Sequence, residues 1–193
     1  MYKKLVTFLV FSLYAPLAAF SADDPSRARL YMPVSTDATV EGCATCEIKA
    51  SGYALDYVFG FGLGLGVASS KTTVTGNPNF GDYSFDTGQM INIGYTFGSD
   101  FSFTIGYGMG SSPKSDLKIP LSEGQTKYEI IGKRSTNTFL GLGYNMGSIE
   151  ILFGMRNIAT MFYQEMTMAG GAIYSYVADV DWRTTDIGVG FTF

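Results

Sequence analysis

From residue 53 to 68 the chain alternates between two kinds of side chain, and that alternation restricts its fold more than any other feature. Odd positions read Tyr53, Leu55, Tyr57, Phe59, Phe61, Leu63, Leu65 and Val67. The even positions are Ala54, Asp56, Val58, Gly60, Gly62, Gly64, Gly66 and Ala68. A period of two is the signature of a β-strand, whose successive side chains leave opposite faces. In a helix these residues would scatter around the surface, and each glycine would cost about 1 kcal/mol.

The same two-faced pattern recurs five times. A strand over about 83–97 sets Ile91, Ile93, Tyr95 and Phe97 against Asn92, Gly94 and Thr96. Over 101–110, Phe101, Phe103, Ile105, Tyr107 and Met109 oppose Ser102, Thr104, Gly106 and Gly108. Thr138, Leu140, Leu142 and Tyr144 oppose Asn137, Gly141, Gly143 and Asn145 in a strand ending near Met146. From Ile149, the residues Ile151, Phe153 and Met155 face away from Glu150, Gly154 and Arg156. The last strand places Ile187, Val189, Phe191 and Phe193 against Asp186, Gly188, Gly190 and Thr192.

Two barrels fit these strands, as mirror images. In a soluble barrel the apolar face points inward and glycine coats the outside. In a membrane barrel the apolar face meets lipid, and small or polar residues fill the lumen. Glycine facing water packs against nothing and weakens a strand, whereas glycine facing a narrow lumen makes room for the opposite wall. The charges decide: Asp56, Glu150, Arg156 and Asp186 all share the glycine face. The sequence therefore predicts an all-β, antiparallel, up-and-down transmembrane barrel whose lumen carries those four charges. Connections agree, since 98–100 and Gly147 are short turns while 70–82 and 111–127 are long, polar and Pro-containing. Aromatics near both presumed rims (Tyr57, Phe97, Phe101, Tyr144; Tyr83, Tyr107, Tyr163, Tyr174) form the expected interfacial girdles.

Residues 1–21 read as a secretory signal. Lys3 and Lys4 precede an apolar stretch from residue 5 to 20, and Ala19-Phe20-Ser21 offers small residues for cleavage after Ser21, with Ala22 as the alternative. The apolar core is short for a membrane span. Residues 22–51 are read as a periplasmic segment or as weak strands, with the barrel occupying 52–193. Arg27 to Val34 alternates weakly, and Pro33 would confine it to a strand edge or end.

Composition excludes several functions. The chain has no histidine, which removes His-based general acid–base catalysis, His metal ligation and Ser-His-Asp triads. Without the leader, 11 basic residues face 17 acidic ones, a net of −6, with no dense basic patch for nucleic acid. Glycines 60, 62, 64 and 66 do not follow a GxGxxG spacing, and read as lumen packing. Cys43 and Cys46, the only cysteines, would close a small disulfide loop in an oxidising compartment; redox and metal roles are the alternatives. Glu47 stands where haem attachment would need His. No catalytic, cofactor-binding or metal-ligating set is expected.

The C-terminal run from Ile187 to Phe193 ends on Phe, with apolar residues at every second place before it. It resembles the terminal signature that the bacterial barrel-assembly machinery recognises. With the Gly-rich first strand and the 101–110 strand, residues 52–193 resemble the small eight-stranded outer-membrane barrels of the surface-exposed and opacity type. The resemblance implies an outer-membrane location, contact with membrane lipid and the assembly machinery, and outer loops that meet host or envelope partners. It also implies at least eight strands, two more than the six read. Residues 22–51 could supply them; a hairpin within 127–133 or 163–181, or a multichain barrel, are the other sources. The enzymes built on such barrels use a catalytic His, so a structural or surface-interaction role is expected, with a narrow channel or carrier for a small solute or lipid as the alternative. Finally, a turn at Gly170-Gly171-Ala172 sets Ile149 opposite Phe193 and Met155 opposite Ile187. Arg156 then faces Asp186 as a lumen ion pair.

Overall fold

The computed structural model describes residues 25–39, 43 and 45–193. The signal-peptide reading of 1–21 lies outside the described residues. Eight antiparallel strands form a closed ring: β1 (Arg27–Asp37), β2 (Glu47–Val58), β3 (Leu63–Asn77), β4 (Gly81–Phe97), β5 (Phe101–Ser111), β6 (Gln125–Met146), β7 (Ile149–Met168) and β8 (Ile173–Thr192). Each strand pairs with its sequence neighbours, and β1 pairs with β8 from Arg27↔Thr192 to Asp37↔Arg183, which closes the barrel. A two-residue bridge, Lys114–Ser115, adds to the outer part of β4.

The faces are those of a membrane barrel. The large apolar residues point outward, with Phe101 75% and Ile91 72% exposed, while Glu150 is 0% and Arg29 2% exposed. An exposed apolar belt around a polar interior is stable only in lipid. Closure matters equally, because a ring leaves no unpaired strand edge within the hydrocarbon.

Several expectations need correction. The alternating run 53–68 is two strands, broken by a turn in which Phe59 N donates to Leu63 O and Gly62 N to Phe59 O, both at 2.8 Å. Gly62 sits at φ +91°, a conformation that favours glycine. The four turn residues are an even number, so the alternation keeps its phase across the break. Nor does the barrel begin at residue 52: β1 and the first part of β2 lie before it. The lumen face of β1 is Arg27, Arg29 and Tyr31 instead of glycine, so its pattern reads weakly. Pro33 sits where the β1–β8 register shifts, as the ladder demands of proline. The segment 70–82 is not a long loop, because β3 and β4 run on to a connection of residues 78–80. Segments 127–133 and 163–181 hold no extra hairpin; they are the outer ends of β6, β7 and β8, with the β7–β8 turn at 169–172.

One rim therefore carries the short connections 59–62, 98–100 and 147–148, the periplasmic arrangement. The opposite rim carries 38–39, 43 and 45–46 of the β1–β2 connection, together with 78–80, 112–124 and 169–172. Above the level where β5 and β1 stop pairing, at Arg134 and Arg183, the strands β6, β7 and β8 continue as a three-stranded sheet.

Candidate functional site

The lumen is the place where this sequence concentrates chemistry, and it is filled from one end to the other. At the periplasmic end Glu150 of β7 meets two arginines of β1. Arg29 grips both carboxylate oxygens, Nε to Oε2 and Nη2 to Oε1 at 2.7 Å each, and Arg27 Nη1 reaches Oε1 at 3.2 Å. Ser102 donates to Oε1 at 2.6 Å. The remaining donors of Arg29 go to Thr96, Thr104 and Ser102, and Arg27 Nη2 donates to the Gly98 carbonyl at 2.9 Å. Both arginines and the glutamate are thus paired at nearly every polar atom, the condition under which buried charge is tolerated.

The glycines explain how such large groups fit. A Cβ on Gly143 would collide with Ser102 Oγ and Glu150 Oε1, and one on Gly190 would crowd Glu150 Oε2. One level outward, Phe139 occupies the space that Gly94 and Gly106 leave, and Tyr31 lies against Gly141 and Gly154. Sequence reading assigned glycines 60, 62, 64 and 66 to lumen packing; Gly60 and Gly62 instead belong to the 59–62 turn, while Gly94, Gly106, Gly141, Gly143, Gly154 and Gly190 lie against particular bulky lumen partners.

Midway along the barrel, Arg156 Nε donates to Asp186 Oδ2 at 3.1 Å, and its guanidinium carbon lies 5.3 Å from the Phe139 ring centre. This is the ion pair expected from sequence, but through a different register. Ile149 faces Phe191 and Met155 faces Thr185, so Arg156 is opposite Thr184 and reaches Asp186 diagonally. The slip is two residues, not one, because a two-residue shift keeps every side chain on its own face. Asp56 does not join either cluster; it accepts a hydrogen bond from Asn92 Nδ2 at 3.3 Å, and Asn92 accepts one from Asn137 at 3.2 Å. The four predicted charges are therefore split into three groups. Missed altogether were Arg27 and Arg29, whose alternation with Ala28 and Leu30 was the available signal.

The apolar cluster of Tyr31, Ala54, Ala68, Met90 and Leu152 packs between and beside these groups, and farther out lies Trp182, whose Nε1 donates to Ser70 Oγ at 3.2 Å. Phe162 and Val74 close the outer part, each at most 2% exposed. Three arginines and three carboxylates thus lie in the described lumen, which carries no net charge.

Cys43 and Cys46 are joined by a disulfide in the β1–β2 connection. That connection joins two strands of the barrel at the rim of the long loops. Ile187, Val189, Phe191 and Phe193 lie on the outward face of β8, and the Phe193 ring stands 6.1 Å from that of Tyr57.

No protein-family model matches the chain, and no curated protein matches its sequence. Solved structures do share its fold. Neisserial surface protein A matches with a TM-score of 0.54 at 12% identity, over 87% of this chain and 96% of that one. The outer membrane protein OprG from Pseudomonas aeruginosa gives 0.50 at 13% identity, over 88% and 96% of the two chains. The outer membrane protein AlkL, in lipid bilayers, gives 0.50 at 12%, over 88% and 90%. The chain shares with these proteins the fold of a small eight-stranded antiparallel β-barrel.

Proposed function

We propose that this protein serves the outer membrane as a closed barrel, acting through the surface it presents outside the cell and not through a pore. The observation that carries this reading is the occluded lumen. Ion pairs, Phe139, the cluster of Tyr31, Met90 and Leu152, and Trp182 together occupy the axis. An eight-stranded barrel has an interior just wide enough for side chains to fill, and here they fill it.

The outer end supports the same reading. Ile173, Tyr174, Tyr176 and Val177 are all exposed on the three-stranded sheet above the apolar belt. Apolar residues gathered on an aqueous surface mark a contact site for a partner. The partner is a host or envelope surface protein reached by this sheet and by residues 112–124. The role is non-enzymatic. Delivery to the membrane uses the assembly machinery, with Ile187, Val189, Phe191 and Phe193 as the recognised strand.

Reconstitution into planar bilayers tests the reading against its rival, a narrow channel or carrier. The closed barrel is expected to give no unit conductance steps. Reproducible steps that scale with salt would transfer the case to the channel.

A further inference from the structure

We propose that the outer wall carries a binding site for a phospholipid-like amphiphile whose headgroup joins a phosphate to a primary ammonium. The site comprises two adjoining grooves of opposite character. The first, about 520 Å³, lies between the outer end of β1 and strands β6 to β8, with Asp37, Thr136, Asp181 and Arg183 among its walls. The second, about 640 Å³, crosses β4 to β7 within the apolar belt and is walled by Ile93, Ile105, Leu140 and Met155. Thr138 and Asn157 belong to both, so one groove runs into the other.

Register makes the track continuous. Arg183 faces Asn157, which faces Thr138, then Tyr107, then Ile93, one row across five strands. Arg183 stands nine residues from the periplasmic end of β8, whereas Ile93 stands four from that of β4. In a barrel with tilted strands such a row descends obliquely, here from the headgroup zone into the hydrocarbon. A molecule lying along it is polar at its upper end and aliphatic below.

Charge selects the headgroup. Arg183 Nε donates to Asn157 Oδ1 at 2.7 Å, which fixes the guanidinium and leaves its two Nη groups without a protein partner among the described residues. A planar fork held this way matches a phosphate. Asp37 is the cross-strand neighbour of Arg183, and Asp181 lies two residues along the same face, about 7 Å away. Neither forms an ion pair within 4 Å among the described residues. Two carboxylates beside one arginine disfavour a simple anionic headgroup and suit a cation covalently tied to the phosphate. A primary ammonium can also donate hydrogen bonds to them, which a quaternary one cannot.

The test uses the full-length protein in mixed micelles containing equimolar phosphatidylethanolamine, phosphatidylcholine and phosphatidylglycerol, with retained lipid counted by native mass spectrometry. Wild type is expected to retain phosphatidylethanolamine preferentially, at one molecule per barrel. Arg183→Ala should weaken retention about tenfold, with Arg183→Lys recovering part of it. Asp181→Asn should shift the preference toward phosphatidylglycerol, an effect that loss of structure would not produce. Equal retention of the three lipids by wild type, or unchanged preference in both Arg183→Ala and Asp181→Asn, would overturn the proposal.

Discussion

Single residues in this lumen differ sharply in what they hold. Among the described residues Glu150 is the sole carboxylate in contact with Arg27 and Arg29, so Glu150→Ala leaves two buried cations facing each other without a counter-charge. Breaking a buried pair in this way costs about 3–5 kcal/mol. Asp56 accepts one long hydrogen bond from a neutral amide, so Asp56→Asn should cost about 1 kcal/mol or less. Urea unfolding of the two variants in lipid checks the contrast, and similar losses would show that the Glu150 cluster is not the anchor. A second residue-scale case lies outside the membrane. Partial burial pushes the Asp116 carboxyl up, but donation from Ser84 N and Oγ, with the Lys71 charge, outweighs it and holds the group below its ordinary value. A carboxyl lowered in the folded state supports the structure above the ordinary carboxylate value and loses that support as pH falls through its own. The 112–124 loop should therefore stay tethered at pH 7 and loosen only below about pH 4, with hydrogen exchange at Ser84 and residues 115–117 as the readout. Asp116→Asn should show the loosened state already at pH 7.

At the scale of the element, β8 carries the strongest claim. It pairs with β1 on one side and β7 on the other, and its outward face ends on Phe193, 68% exposed to lipid. Phe193→Asp should lower the level of inserted barrel severalfold, because a carboxylate on the lipid face is unfavourable and the terminal strand loses its signature. Normal insertion of that variant, measured on membrane fractions, would remove the assembly role from Phe193. Strand faces were legible in the sequence because each one obeys the period-two rule, and the lumen position of all four predicted charges followed from it. Strand ends were not legible. The 59–62 turn preserves the phase of its flanking strands, and the outward face of the outer halves of β3 and β4 is polar because water replaces lipid there. The β7–β8 register escaped by two residues for a related reason: a two-residue slip keeps every side chain on its own face, so the period-two pattern does not distinguish the settings, and Arg156 reaches Asp186 along a diagonal in the register found.

For the whole molecule, the account rests on one pairing of faces: apolar residues toward lipid, and a lumen packed tightly enough to exclude water. The protein contains a single tryptophan, Trp182, and it reports on both. Its indole is 3% exposed, lies inside the barrel and donates to Ser70. Fluorescence of the reconstituted protein can be challenged from the membrane with brominated acyl chains and from water with acrylamide. A closed barrel predicts weak quenching from both sides, with full quenching after unfolding. Strong quenching by brominated chains would put Trp182 on the lipid face and invert the barrel, and strong quenching by acrylamide would mean that the lumen is open to water.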